Sequence, residues 1–553
     1  MFKALLIHRD NTPLKNKVKI LEKFDTETFD FGNSDLDTYI SQKIIPKIVK
    51  KEFNILFIKD NLSDNYLELY GITLAYHIRL SAELGDKRFV PIVIISDVDG
   101  YILNKLTPMA NILFTRNTFV ARNEISSYDY FKKVFEQIQP VSDFKKEFLD
   151  LIRIDPPQDY LSHHSIANEW AMHRWAEYLD VTTDDIKMIN EKISSMLYFK
   201  YLKAKFTIKK SDFGKHQQKI KEPGKILYID DEWAKGWGNI LKSLHSDLYV
   251  VEEPYKDRTK EEIIEFVLKK ISKVDPDLVI LDMRLHEDDF QENIHLDELT
   301  GIEIFKKIKE LNEGIQFIIF TASSNTLLLE EIQSYDTNIL SYIKKEHPDD
   351  INITIQGNIN KLVNKINEGL KKKYLKEIWK IKNDISKLLG VEKTWEENPF
   401  SQYIDGLEEY KTHLGKLHKE NFYIFDILSG SNENKLNYAL VSLATSIDAL
   451  QSIFIKDKWD KEKQSKTYYY LGEHISKPIS NLPDQIAFII EKSGYEPKEI
   501  LKELIKLNKK RNQYIHSNPD YILPTEGEIL KWHQLFCEII NKIKNRKTVS
   551  QKS

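Results

Sequence analysis

A chain of 553 residues, with 41% hydrophobic and 30% charged side chains, has material for roughly three to five folding units. Its single cysteine, Cys537, excludes an internal disulfide and any cysteine-rich zinc module, and a formal net charge of −4 gives no global electrostatic case for nucleic-acid binding. No stretch approaches ~18 uncharged apolar residues and charge follows Met1 too soon for a signal peptide, so a cytoplasmic protein without a membrane partner is expected.

Residues 1–125 carry short apolar runs of the kind that form parallel strands buried on both faces. They are Lys3-Ala-Leu-Leu-Ile-His8-Arg9, Asn54-Ile-Leu-Phe-Ile-Lys59, Pro91-Ile-Val-Ile-Ile-Ser96 and, as a further strand, Asn111-Ile-Leu-Phe-Thr. Gly71-Ile-Thr-Leu reads as a helix start.

Residues 126–222 read as a helical connector, with apolar residues at three- and four-residue steps. Within it, Ser162-His163-His164-Ser-Ile-Ala-Asn168-Glu169-Trp170-Ala-Met-His173-Arg174-Trp175 concentrates residue types uncommon elsewhere. His164 and Asn168 lie one helical turn apart, as do Glu169 and His173. Ser-His-x-x-x-Asn faintly resembles the histidine box of sensor kinases, which would make His164 a phosphoacceptor; metal binding is another alternative. With no kinase ATP-binding domain following and Ser165 where an acid is usual, the expected role is a packed helix docking the flanking α/β units.

Residues 223–350 deliver polar groups at the carboxyl ends of buried strands, where open α/β sheets build their sites. Ile226-Leu-Tyr-Ile-Asp230-Asp231-Glu232 ends in an acid pair, and Asp277-Leu-Val-Ile-Leu-Asp282 ends in a single aspartate. Phe317-Ile-Ile-Phe-Thr321 ends in a hydroxyl, and Ile339-Leu-Ser-Tyr342-Ile-Lys344-Lys345 in an aromatic and lysines. The set resembles a response-regulator receiver domain, with Leu299-Thr-Gly301-Ile-Glu-Ile as the helix start after the acceptor strand.

That resemblance implies a doubly wound, flavodoxin-like fold with Asp282 as phosphoacceptor and Asp230, Asp231 and Asp282 as Mg²⁺ ligands. It implies that Thr321 and Tyr342 are switch residues and that Lys345, or alternatively Lys344, contacts phosphate; a sensor histidine kinase or other phosphodonor is the expected partner. Two features depart from the pattern. The 19-residue step from Asp282 to Gly301 makes His286-Glu-Asp-Asp-Phe-Gln-Glu-Asn an inserted acidic loop, expected to gate donors or simply to be solvated. The lysine also lacks the usual following proline. Against the same pattern residues 1–125 are a degenerate receiver-like repeat: His8 and Arg9 stand at the acid-pair positions and Lys59 at the acceptor position, so Mg²⁺ would be repelled.

Residues 351–425 include the basic amphipathic run 360–385, expected as a helical stalk that either forms a two-chain coiled coil or packs on its own domain. Residues 426–553 read as a helical bundle. In it, Arg511-Asn512-x-x-x-His516 after a basic apolar-periodic helix resembles HEPN domains, whose signature is Arg, four to six residues, then His. The resemblance implies a metal-independent endoribonuclease of stress or antiphage systems, acting on RNA as a homodimer with Arg511, Asn512 and His516 as catalytic residues. A non-enzymatic adaptor whose helical domain binds nucleotide or a protein is the alternative, and no recognition helix for DNA is visible.

Overall fold

The computed structural model describes residues 3–546 apart from 10–24, 31, 33–34, 66–67, 123–127, 158–165, 206–218, 292–293, 323–338, 346–354, 391–392, 395, 405–406, 463 and 478. The chain divides into two compact units, one of residues 1–217, 234–243 and 345–359, the other of 218–233, 244–344 and 360–553.

The first unit is built on strands β1 (Ala4–His8), β2 (Asp25–Thr28), β3 (Ile55–Lys59), β4 (Ile92–Ser96) and β5 (Thr118–Arg122), all parallel in the order β2-β1-β3-β4-β5. Every residue of β1, β3 and β4 is buried, as continuous apolar runs in a sheet covered on both faces must be. The run Asn111–Thr115 is not the fifth strand. Pro108 at the first turn and Thr107 accepting from the Met109 amide wind Pro108–Phe114 into a 3₁₀ helix, and the β-branched Thr118–Arg122 takes the strand position. Helix α1 (Tyr70–Leu80) follows β3, and α2 (Ile166–Leu179), α3 (Asp184–Ser195) and α4 (Leu197–Lys205) belong to the same unit.

The second unit repeats the topology with β6 (Ile226–Ile229), β7 (Leu248–Val250), β8 (Leu278–Leu281), β9 (Gln316–Thr321) and β10 (Ile339–Lys344), all parallel in the order β10-β9-β8-β6-β7. Both sheets therefore have the 2-1-3-4-5 order of flavodoxin-like folds. Helix α5 (Trp237–Lys242) lies in residues that group with the first unit. Helix α6 (Lys260–Val274) opens with a Thr259/Glu262 capping box, and α7 (Thr300–Leu311) follows β8.

The expected stalk is two helices, α8 (Ile355–Lys371) and α9 (Tyr374–Leu389). Leu362, Val363, Ile366 and Leu370 of α8 are buried within the chain, so the apolar stripe is packed intramolecularly. A Cβ on Gly369 would stand 2.4 Å from Leu278 Cδ1 and 2.6 Å from Leu340 Cδ1, so α8 lies too close to the sheet for any side chain there. Helix α9 then enters the core of an α-helical region made with α10 (Leu407–Ser429), α11 (Lys435–Phe454), α12 (Leu482–Lys492), α13 (Lys498–Ile515) and α14 (Glu526–Lys544).

That region is not purely helical. Strands β11 (Ile455–Asp460), β12 (Ser465–Tyr470) and β13 (Glu473–His474) form an antiparallel sheet. Its Thr-Tyr-Tyr-Tyr segment favours a strand, but the Lys-Asp-Lys of its partner does not, and helical periodicity flanks both in the sequence.

The first turn of α9 is fastened to the amino edge of the second sheet. Lys376 is buried, its Nζ 2.8 Å from Asp277 Oδ1 and donating to the Asp275 carbonyl at 2.8 Å, and Asn312 Nδ2 donates to the Lys376 carbonyl at 3.1 Å. These contacts lie at the end of β8 opposite Asp282.

Candidate functional site

Pairing of Ile229 with Leu281 brings the residues that follow β6 and β8 to the same level at the carboxyl edge of the second sheet. There Asp230, Asp231 and Asp282 each offer a carboxylate oxygen, all within 4.8 Å of one another. Asp230 and Asp282 are buried and Asp231 half-buried. Three anions this close repel one another unless a cation or proton joins them, and hard carboxylate oxygens suit Mg²⁺ rather than a thiophilic metal.

Local backbone geometry fixes each acid. Asp282 Oδ1 accepts from the amides of Met283 at 2.6 Å and Arg284 at 3.3 Å, while Asp230 Oδ1 accepts from the Glu232 amide at 2.7 Å. The other Asp230 oxygen accepts from the Tyr228 hydroxyl. Burial, then the charge of Asp230, pushes the Tyr228 phenol well above its ordinary range, so it stays a donor.

Thr321 closes β9, is buried, and pairs in register with Lys344 of β10. Tyr342 is packed in the sheet's hydrophobic core, and its carbonyl accepts from Lys361 Nζ at 2.9 Å and from Ser341 Oγ at 3.2 Å. Lys344 is half-buried, and Lys345 is buried with Nζ 5.6 Å from the Trp237 ring centroid.

The acidic insertion is neither a free gate nor a solvated loop throughout. Glu287 and Asp288 are exposed, but Asp289 is fully buried. Its Oδ2 accepts from the amides of Leu285 at 2.9 Å and His286 at 3.0 Å, and its Oδ1 from the Thr300 amide at 3.1 Å and hydroxyl at 3.0 Å. Lys260 Nζ lies 2.9 Å from the same oxygen, which compensates the buried charge. Nothing in the sequence separates Asp289 from its solvated neighbours.

The first sheet has the same backbone shape with different chemistry. A Cβ on Gly301 would stand 2.4 Å from the Asp282 carbonyl oxygen, and one on Gly71 would stand 2.0 Å from that of Lys59. The Gly301 amide donates to Met283 and the Gly71 amide to Asp60. This shared crossing aligns Lys59 with Asp282 independently of sequence. Lys59 is buried, with Nζ 2.9 Å from Asp60 Oδ1 and 3.3 Å from Asp97 Oδ2, and Ser96 Oγ donates to Asp60 Oδ2 at 2.5 Å. His8 is buried against the Arg9 carbonyl, and Arg9 pairs with Asp64 at 2.5 Å. An internal ammonium thus occupies the place where the second sheet gathers acids.

His163 and His164 lie outside the described residues. His173 on α2 is buried, with Nδ1 2.5 Å from Asn190 Oδ1, and burial lowers its pKa to about 4. Asn168 is buried and accepts from Trp237 Nε1 at 2.9 Å, while Trp170 and Trp175 are fully buried. These are core contacts of the first unit.

Arg511, Asn512 and His516 share the last turns of α13. Asn512 and His516 are exposed; His516 caps the helix and its amide donates to the Asn512 carbonyl at 3.0 Å. Arg511 is half-buried, and its Nε has no hydrogen-bond partner among the described residues. Tyr514 and Tyr521 pack with ring centroids 5.5 Å apart beside them.

A family model described as an inactive receiver domain matches residues 11–121. Residues 11–121 are similar to that domain. The match falls on the sheet that has Lys59, rather than an acid, at the acceptor position. No curated protein and no solved structure matches the chain. An inactive receiver-like domain points to a signalling role, and among the described residues no helix is long and apolar enough to cross a membrane.

Proposed function

We propose that the chain is a phosphorylation-controlled signalling effector in which the first sheet is silent and Asp282 of the second accepts the phosphoryl group. The observation that carries this reading is the meeting of Asp230, Asp231 and Asp282 within 4.8 Å at a sheet edge, where the first sheet places Lys59. Asp230 and Asp231, with Asp282, would hold Mg²⁺, which when bound supplies positive charge against phosphoryl oxygens.

The protein's own part is orientation. The Met283 and Arg284 amides hold Asp282 Oδ1, directing the carboxylate toward a donor. An Asp282 oxygen forms the new P–O bond as the donor's P–N or P–O bond breaks, and the electron pair leaves with the donor imidazole or carboxylate. A sensor histidine kinase or a small acyl phosphate fits as donor. Thr321 and Lys345, or Lys344, are proposed to contact the phosphoryl oxygens. Incubation with acetyl phosphate and Mg²⁺ should label wild type but not Asp282→Ala; labelling of the variant would refute the assignment.

For the output we propose HEPN-type RNA cleavage by a homodimer. Its support is an exposed His516 on the same helix end as Arg511 and Asn512, where imidazole can exchange a proton with a ribose 2′-hydroxyl and guanidinium can stabilise a phosphorane. The cleavage forms a P–O bond to the 2′ oxygen, breaks the bond to the 5′ oxygen, and returns the proton to the leaving group without metal. His516-dependent degradation of total RNA supports this reading. Degradation equal in wild type and His516→Ala, or none in either phosphorylation state, leaves the adaptor as the better account.

A further inference from the structure

Helix α13 sorts its charges by face. At about 3.6 residues per turn, Lys498, Lys502, Ile505, Lys509 and Asn512 fall on one stripe that runs into the capping residue His516, and all six are exposed. Glu499, Glu503, Lys506 and Lys510 fall on the neighbouring stripe, where the charges answer one another or a partner on α14. Glu503 Oε1 lies 2.9 Å from Lys506 Nζ and 3.0 Å from Lys531 Nζ, and Lys510 Nζ lies 2.7 Å from Glu528 Oε2. Lys498, Lys502 and Lys509 make no ion pair or side-chain hydrogen bond among the described residues. Helix stability does not explain their placement. Lys498 and Lys502 are like charges one turn apart, and Lys498 opens the helix, where the dipole disfavours a cation. At a rise of about 1.5 Å per residue the stripe runs about 27 Å from Lys498 to His516.

We propose that this stripe is the backbone track of a single-stranded RNA, with Lys498, Lys502 and Lys509 contacting phosphates and leading the strand to His516. A lysine ammonium binds phosphate as a point charge and reads no base, so the track sets affinity and register rather than sequence. Ile505, 52% exposed between the cations, offers apolar surface to a base or ribose. An acidic protein would match the same charges; RNA is favoured because the stripe ends at an exposed imidazole suited to phosphodiester chemistry. The identity of the polymer rests on the ribonuclease reading of His516, whereas the three lysines lie outside the residues that reading uses.

The test is fluorescence anisotropy of a labelled oligouridine with the full chain carrying His516→Ala, so that binding is read without cleavage. Adding Lys498→Gln, Lys502→Gln and Lys509→Gln together should weaken binding about 100-fold at about 0.1 M salt. It should also lower the slope of log affinity against log salt by about two, the counterion release of three phosphate contacts on a single strand. Lys387→Gln, Lys416→Gln and Lys419→Gln together, at exposed lysines of α9 and α10, should leave the slope unchanged. Both triple variants should melt at the parent's temperature. Parent affinity in the α13 variant overturns the track, and so does an equal loss in the two variants, which would make the effect one of net charge. Lysine-dependent binding of polyglutamate without binding of oligouridine also overturns it, in favour of an acidic protein partner. The two readings fail separately: lysine-dependent RNA binding by a chain that cuts no RNA leaves the track and removes the nuclease. Cleavage that needs His516 but is undiminished in the α13 variant does the reverse.

Discussion

Two sheets of one topology sit in this chain, and they differ most at a single level of the carboxyl edge. Each has the order 2-1-3-4-5, and each sends a glycine-led helix so close to the strand before it that a Cβ would strike the carbonyl at the acceptor position. In the first sheet that position is Lys59, neutralised by Asp60 and Asp97; in the second it is Asp282, facing Asp230 and Asp231. The first site carries its own ammonium between carboxylates. The second gathers three carboxylates, the set proposed to hold Mg²⁺. Backbone shape thus survives where the chemistry is exchanged, and the similarity of residues 11–121 to an inactive receiver domain fits the site that carries Lys59.

Substitutions can break the contrast. The largest effect is expected at Asp289→Ala, which leaves Lys260 and four loop donors without their acceptor; destabilisation of about 4 kcal/mol in urea unfolding should follow, and loss under 1 kcal/mol would mean the insertion is not anchored there. Lys59→Met strands Asp60 in the first sheet and should cost about 3 kcal/mol by the same measurement. Gly71→Ala and Gly301→Ala force a methyl onto backbone in both sheets and should each cost about 2 kcal/mol; a large effect in only one would deny the shared crossing.

Asp282→Asn should go the other way. Removing one of three crowded anions should stabilise the metal-free protein by about 1 kcal/mol in EDTA, and added Mg²⁺ should then favour wild type. The smallest effect is at His516→Ala. The side chain is exposed, so stability should stay within about 0.5 kcal/mol while any His516-dependent RNA cleavage disappears.

The strands carrying the acids were legible because runs such as Leu278–Leu281 are apolar throughout and end in Asp282, a pattern that burial on both faces requires. The same logic failed at Asn111–Thr115, where apolar residues preceded by Pro108 wind into a 3₁₀ helix. The hairpin of β11 and β12 was hidden because the run Lys456-Asp-Lys disfavours a strand and the hairpin lies between two long helical patterns. Periodicity could not decide whether α8 meets another chain or its own sheet. Gly369 marks the close approach to Leu278 and Leu340, but a mid-helix glycine has several explanations in sequence. Arg511 and His516 are spaced as a motif, but the sequence could not place them on an exposed helix end.

The central claim is that one sheet is chemically competent and the other is not. Mass-spectrometric mapping of the acyl phosphate after reaction with acetyl phosphate and Mg²⁺ tests it most directly. The account predicts one phosphoryl group per chain, on Asp282, absent from Asp282→Ala and absent from residues 1–125. Phosphoryl transfer to the first sheet, or labelling that persists in Asp282→Ala, would contradict it.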